Sequence, residues 1–156
     1  MSIRVNQRKF QRIVAVAIAV SFLVSSISHA DDAIDFEPVA SVLELPDGLT
    51  LGECSAVDFD SKGRLYLFHR EKQPILCFDR HGKFIRSWGD NLIGKAHGLR
   101  VDRHDNIWVT DIGHHMVFKF SPQGKLLLAL GQSDKPGASD DQFDRPTDIA
   151  FGSQGE

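Results

Sequence analysis

The chain has 156 residues, of which 42% are hydrophobic, and it carries 18 basic and 21 acidic side chains. All 21 acidic residues but only 14 of the basic ones lie after residue 30, so residues 31–156 have a net charge of −7. Such an acidic surface argues against nucleic acid and anionic membranes as partners. The 126 residues after position 30 are enough for one ordinary domain.

Residues 1–30 have the three-part pattern of a secretory signal peptide. Residues 4–12 hold four basic side chains and no acidic one, residues 13–24 form an apolar run broken only by Ser21, and Ser28-His29-Ala30 is a small-x-small cleavage site. The apolar run is short for a bilayer span, which disfavours the alternative of a permanent N-terminal anchor. We therefore expect cleavage before Asp31, a secreted or periplasmic protein, and no membrane attachment afterwards.

Residues 31–51 form an acidic leader. It contains one possible strand at residues 39–45, followed by the turn Pro46-Asp47-Gly48. No helical periodicity occurs beyond the signal peptide, so the remaining chain is predicted to be all-β.

An internal repeat organises the rest of the chain. Residues 56–89 recur without a gap at residues 98–131, a shift of 42 positions, and a third copy starts at Asp148. A period near 40 with four short apolar runs per unit is typical of a β-propeller blade. We therefore predict a partial, incomplete β-propeller over residues 52–156, with four-stranded blades at about 52–90 and 96–132 and the start of a third at about 145–156.

This length is short for a closed ring. Even four blades of this period would need roughly 170 residues, and the chain holds about two and a half blades. We therefore expect a truncated product or a fragment of a longer reading frame. Missing blades or another chain would be needed to close the ring.

The strands follow in chain order within each copy. In the first blade they are predicted at residues 55–59, 64–68, 75–78 and 84–88, and in the second at residues 99–101, 106–110, 116–120 and 126–130. The segments Asp60-Ser61-Lys62-Gly63 and Pro122-Gln123-Gly124 suit tight hairpin connections. A polar loop at residues 133–144 explains why the third copy is offset by 50 positions instead of 42.

Two cysteines would meet an oxidising compartment after export, which raises the question of a disulfide. Cys54 precedes the first strand and Cys77 lies on the third, with another strand between them. Because neighbouring strands are about 4.8 Å apart, these positions are too distant to bridge without distortion. We expect two thiols instead of a bridge.

Two polar residues depart from the repeat at positions that share one side of a propeller. His97 precedes the first strand of its blade, and its repeat equivalents are Ser55 and Thr147. Arg70 follows the second strand of its blade, and its equivalent is Ile112. In a meander, the start of the first strand and the end of the second lie at the same rim. We therefore predict that Arg70 and His97 share a site, the alternative being that both are merely solvated loop-end residues.

A more specific pattern surrounds these two residues. It consists of Phe68-His69-Arg70, Ala96-His97-Gly98-Leu99, residues 105–111 (DNIWVTD), residues 115–120 (HMVFKF) and Pro146-Thr147-Asp148. These segments resemble the catalytic domain of peptidyl-α-hydroxyglycine α-amidating lyase, a six-bladed propeller of NHL-type repeats. The resemblance covers roughly residues 52–151 and is more specific than a generic NHL match.

The resemblance implies an activity and a set of site residues. The family cleaves a peptidyl-α-hydroxyglycine to an amidated peptide and glyoxylate, and it uses zinc and calcium. His97 falls on the first of three zinc histidines, and Arg70 falls on the active-site arginine. Val57 and Leu99 fall on residues whose backbone carbonyls bind calcium. As repeat equivalents, their carbonyls would ring the axis at one height, which suits a cation that prefers oxygen ligands.

The chain also departs from this pattern. The other two zinc histidines, the catalytic tyrosine and the calcium aspartate of the family are expected in later blades. Asp144 stands where animal members have a disulfide cysteine. Because catalytic zinc sites use three protein ligands, we expect this chain alone to be inactive and to bind zinc weakly.

Two other functions compete with the lyase. A non-catalytic NHL-type propeller would bind a peptide, a glycan or a protein on its rim, and further histidines at later blade starts would distinguish the lyase from this binder. A calcium-dependent lactonase would need a channel rich in carboxylates, which Ser55, His97 and Thr147 do not supply.

Overall fold

The computed structural model describes residue 37 and residues 42–153. The chain divides into two units, Met1–Pro38 and Val39–Glu156, and the description below concerns the second. The predicted signal peptide at residues 1–30 lies outside the described residues. Among the described residues, no helix is long and apolar enough to cross a membrane.

Within residues 42–153, eight strands form two separate four-stranded antiparallel meanders, and each meander follows chain order. We call the two sheets blade 1 and blade 2. The strands of blade 1 are β1 Cys54–Phe59, β2 Leu65–His69, β3 Ile75–Phe78 and β4 Phe84–Trp88. Those of blade 2 are β5 Ala96–Val101, β6 Ile107–Asp111, β7 Met116–Phe120 and β8 Leu126–Leu130. The first strands, β1 and β5, are neighbours. The prediction of an all-β, partial β-propeller is confirmed.

The strand pairing departs from regularity at the start of each blade. In β5, Ala96 pairs with Asp111 and Leu99 pairs with Val109, so His97 and Gly98 form a bulge opposite Thr110. The strand therefore begins at Ala96, three residues before the predicted start. His97 lies inside β5, whereas the sequence placed it just before the strand. Bulges of this kind redirect side chains beside functional sites.

An aspartate fixes the connection between the first two strands of each blade. Asp60 accepts hydrogen bonds from the backbone N–H groups of Lys62 and Arg64, each at 2.9 Å. Asp102 accepts the equivalent bonds from His104 and Asn106, each also at 2.9 Å. These local bonds satisfy the backbone of the turn, so the repeat of the turn sequence becomes a repeat of strand positions.

The main core lies between the blades. Blade 1 contributes Tyr66, Phe68, Ile75 and Cys77, and blade 2 contributes Ala96, Leu99, Ile107, Val109, Met116, Phe118 and Phe120. Trp88 joins the two sets, since its ring meets Tyr66 and Phe120 edge to face at centroid distances of 6.2 and 6.1 Å. This apolar contact sets the relative position of the blades.

A smaller core covers the opposite side of blade 1. The leader residues Leu43 and Leu49 pack there against the cluster formed by Leu67, Leu76 and Phe78. In the described part of the predicted strand at residues 39–45, Glu44 forms one isolated bridge with Lys83. Gly82 has a φ of +84°, and a Cβ at this position would collide with the carbonyl of Val42. The leader is therefore tied to the outer part of blade 1, and the predicted turn is present as Leu49 N–H donates to the carbonyl of Pro46.

The third copy of the repeat lies beside blade 2 without forming a strand. Phe151 packs against Trp108 with ring centroids 5.9 Å apart. Among residues 42–153, no strand follows with which this segment could pair. The presence of a neighbouring blade also decides the burial of the repeat equivalents Leu99 and Val57. Leu99 is 2% exposed because it faces blade 1, whereas Val57 is 51% exposed because no described blade covers it.

Candidate functional site

The starts of the three copies meet at one rim and enclose a groove. The repeat equivalents Ser55, His97 and Thr147 all line it, as the topology predicts. Its volume is about 380 Å³. We call it the rim groove, and its lining consists of Ser55, Ala56, Val57, His97, Gly98, Leu99, Arg100, Thr147 and Asp148.

One ring nitrogen of His97 is hydrogen-bonded to the protein, and the other is available to a ligand. Its Nδ1 lies 3.0 Å from the backbone carbonyl oxygen of Thr147. A carbonyl can only accept, so Nδ1 carries a proton, and in the neutral imidazole Nε2 then keeps its lone pair. Within residues 42–153, Nε2 has no hydrogen-bond partner. Metal-binding histidines typically donate their other ring N–H to a carbonyl or carboxylate in this way.

Arg70 reaches across the boundary between the blades. Its Nε donates to the carbonyl oxygen of Ala96 at 3.2 Å, and its Nη1 donates to Glu53 Oε2 at 2.5 Å. Its backbone N–H also donates to the carbonyl of Glu53. Because Ala96 directly precedes His97, the structure brings Arg70 to the same rim as His97. Arg70 lies beside the rim groove and is not part of its lining.

The two residues predicted to offer carbonyls to calcium both line the rim groove. Val57 pairs with Leu67 in blade 1, and Leu99 pairs with Val109 in blade 2, so the two positions are equivalent in register. Their role as calcium ligands stays a prediction.

One ion pair lies at the groove wall. Arg100 donates two hydrogen bonds to Asp148, from Nε to Oδ1 at 2.9 Å and from Nη2 to Oδ2 at 2.6 Å. The hydrogen bonds from Arg100 hold the pKa of Asp148 below its ordinary value. The groove therefore carries a carboxylate that is ionised and already paired.

The described residues do not by themselves assemble a metal site. Within residues 42–153, no three His, Cys, Asp or Glu side chains come together to hold an ion. His69 is buried, and both its ring nitrogens are engaged, Nδ1 by the N–H of Gly52 and Nε2 by the carbonyl of Gln73, each at 3.2 Å. The neutral Nδ1–H tautomer of His97 leaves Nε2 free to bind a metal ion, and its role as a zinc ligand stays a prediction.

Both cysteines are free thiols. Cys54 is exposed, and Cys77 lies fully buried in the core between the blades. Burial raises the pKa of the Cys77 thiol, and this effect outweighs the contacts with Tyr66, Arg64 and Arg86 that lower it. The thiol therefore stays protonated and unreactive.

Two polar groups near the rim were not predicted from the sequence. Thr110 is fully buried and hydrogen-bonds both Gly98 and Thr147. Glu53 is the acidic partner of Arg70. The signal for Thr110 was present in the repeat, because Phe68 is its apolar equivalent. His114 Nδ1 lies 2.8 Å from Asp134 Oδ1.

Comparison with known proteins relates this geometry to a family. A mouse (Mus musculus) peptidyl-glycine alpha-amidating monooxygenase is 36% identical over 140 residues, which is 72% of this chain and 14% of the relative. A Drosophila melanogaster peptidyl-alpha-hydroxyglycine alpha-amidating lyase 1 is 33% identical over 138 residues, which is 70% of this chain and 25% of the relative. The chain belongs to the peptidyl-α-hydroxyglycine α-amidating lyase family. It spans at most a quarter of the length of these two relatives.

A solved structure supports the propeller fold of this chain. A streptogramin B lyase structure superposes with a TM-score of 0.54 at 18% identity, and the match covers 69% of this chain and 34% of that one. At this identity the likeness concerns the propeller fold alone. No established protein-family profile matches the chain.

Proposed function

We propose that this chain forms part of a propeller that cleaves peptidyl-α-hydroxyglycines into an amidated peptide and glyoxylate. The observation that carries the proposal is the contact between Arg70 and Ala96. It joins two family-matched motifs from different blades, Phe68-His69-Arg70 and Ala96-His97-Gly98-Leu99, at one rim beside a groove. Sequence similarity alone does not require that adjacency.

The proposed reaction is an elimination without an added co-reactant. The bond between the amide nitrogen and the α-carbon breaks, the α-hydroxyl proton ends on the nitrogen, and the α-carbon becomes the aldehyde of glyoxylate. Zinc, when bound, would lower the pKa of the α-hydroxyl. His97 would contribute Nε2 to that ion, with Nδ1–H held by the carbonyl of Thr147.

Arg70 would bind the carboxylate that becomes part of glyoxylate. A guanidinium fork pairs with both oxygens of a carboxylate. In the structure one arm of this fork already holds the Glu53 carboxylate, whose side chain is 77% exposed. We propose that the substrate carboxylate replaces Glu53, because an exposed ion pair contributes little to stability and is easily exchanged.

The remaining assignments follow the same proposal. The backbone carbonyls of Val57 and Leu99 would bind a structural calcium. Export would depend on residues 1–30, and the peptide substrate would meet the protein in a secretory or periplasmic compartment. Further blades or another chain would supply the missing zinc ligands and close the ring.

A glyoxylate assay tests the function. The purified chain, given zinc, calcium and an α-hydroxyglycine peptide, should release no glyoxylate above the uncatalysed rate, because one imidazole cannot hold zinc as three do. A polypeptide extended by the further blades should release it. In that polypeptide Arg70→Ala should raise KM about 10- to 100-fold, since a hydrogen-bonded ion pair is lost. Arg86→Ala is the matched control, because Arg86 donates to the carbonyl of Pro122, away from the rim groove.

The outcomes separate the two candidate functions. Peptide binding without glyoxylate release in the extended polypeptide would support the non-catalytic propeller. Release that is unaffected by Arg70→Ala would remove Arg70 from the site. Zinc-dependent release by the purified chain as a monomer would contradict the ligand count.

A further inference from the structure

Thr110 is a buried hydroxyl that connects three segments of the chain. Its side chain is fully buried on β6. Its Oγ1 accepts a hydrogen bond from the N–H of Gly98 at 2.7 Å and lies 3.2 Å from the carbonyl oxygen of Thr147. An amide N–H can only donate, so the hydroxyl proton is available to Thr147. The Thr110 hydroxyl thus accepts one hydrogen bond, from Gly98, and donates one, to Thr147.

The Thr147 carbonyl is the shared acceptor in this arrangement. Its two lone pairs receive the hydroxyl of Thr110 and the Nδ1–H of His97. The carbonyl is therefore held from two directions. Thr110 acts on His97 without touching it, because it fixes the oxygen that the imidazole binds.

Gly98 makes the close approach possible. A Cβ on Gly98 would lie 2.5 Å from the Thr147 carbonyl oxygen and 2.9 Å from Thr110 Oγ1. Any larger residue would push these groups apart. Gly98 lies in the bulge of β5, where its N–H turns from the strand ladder to the threonine hydroxyl. The bulge, the glycine and the threonine therefore form one unit.

We propose that Thr110 is a positioning residue for His97. Through the carbonyl of Thr147 it holds the imidazole in the Nδ1–H tautomer and leaves Nε2 open to the rim groove for a divalent metal ion. The binding of that ion rests on the proposed function. The fixed tautomer is a property of the described residues themselves.

The test is a measurement of the His97 tautomer by NMR. The chain is labelled with ¹⁵N-histidine, and two-bond nitrogen–proton correlations are recorded at pH 8, where a solvated imidazole is mostly neutral. In the wild-type chain, Nδ1 should give the protonated signal. Thr110→Val, which removes the hydroxyl at nearly constant shape, should raise the Nε2–H to Nδ1–H ratio about threefold or more, as loss of a hydrogen bond to the carbonyl allows. Thr110→Ser should keep the wild-type ratio.

Two further variants complete the design. Gly98→Ala should shift the tautomer ratio in the same direction as Thr110→Val. Ser55→Ala is the matched control, because Ser55 also places a hydroxyl in the groove but donates to the carbonyl of Phe68. It should leave the ratio unchanged.

The proposal can fail independently of the lyase. A predominant Nε2–H tautomer in the wild-type chain would overturn it without any variant. An unchanged ratio in folded Thr110→Val would also overturn it. The readout needs no zinc and no substrate. An extended polypeptide that releases no glyoxylate would therefore refute the proposed function, whereas the expected tautomers in this chain would leave the inference intact.

Discussion

Asp102→Asn offers a test of how the repeat is held together. One oxygen of this carboxylate accepts the backbone N–H groups of His104 and Asn106, and the other accepts Trp108 Nε1 at 3.0 Å. Lys119 Nζ lies 3.3 Å from that second oxygen. The side chain is 10% exposed, so water can replace few of these contacts. Whichever way an asparagine amide is oriented, its NH₂ group would face either the backbone N–H groups of His104 and Asn106 or the Nε1–H of Trp108, and neither can accept a hydrogen bond.

The magnitude follows from the contacts that are lost. A buried N–H left without an acceptor costs about 1–3 kcal/mol. Loss of the charge opposite Lys119 adds up to about 1 kcal/mol. We therefore expect Asp102→Asn to lower the free energy of unfolding by about 1–4 kcal/mol. At roughly 4 °C per kcal/mol for a domain of this size, Tm should fall by about 4–16 °C.

The assay is urea unfolding followed by tryptophan fluorescence, since Trp108 contacts the mutated group and Trp88 lies between the blades. Asp79→Asn is the matched control. Among the described residues, Asp79 accepts only the turn N–H groups of His81 and Lys83, and one amide oxygen can still accept both. A loss of less than 0.5 kcal/mol for Asp102→Asn, within the usual range of surface substitutions, or an equal loss for the control, would refute the reasoning.

The loss of stability caused by Asp102→Asn should depend on pH. Burial disfavours the Asp102 carboxylate, but the hydrogen bonds from Trp108, Asn106 and His104 outweigh burial and hold its pKa well below the ordinary value of 3.8. A group with a depressed folded pKa contributes stability above its unfolded pKa and loses it as the pH falls. The difference between wild type and variant should therefore be constant above about pH 5 and shrink below the ordinary value. A difference that is independent of pH down to pH 2 would contradict this account.

Two further predictions concern the leader and the thiols. Gly82→Ala should destabilise the fold by about 2 kcal/mol or more, because left-handed backbone strain adds to a collision with the leader. Gly63→Ala shares the positive φ without a close contact and should cost less in the same urea assay. In the native chain a thiol reagent should label exposed Cys54 and spare Cys77 until urea unfolds the blades. Rapid native labelling of both thiols would show that the inter-blade core is open.

The positions of the strands could be predicted because their causes are local. Turn aspartates and alternating apolar residues recur in both copies, and the predicted bounds of β3, β4, β7 and β8 match the structure. The prediction was less complete at β5, which starts at Ala96. That residue is in the strand because it pairs with Asp111 across a bulge. A bulge depends on the partner strand and leaves little trace in the local pattern.

The sequence by itself determined the repeat, and from it predicted the blades and a shared rim for Arg70 and His97. Only the tertiary structure decided what these side chains touch. The imidazole of His97 meets a carbonyl 50 residues away, and the guanidinium of Arg70 meets the carbonyl of Ala96 in the next blade. Such contacts join segments whose relative position is set by the packing of the inter-blade core. A periodic pattern within one blade determines that blade, whereas the contacts at the rim exist only once two blades are packed together.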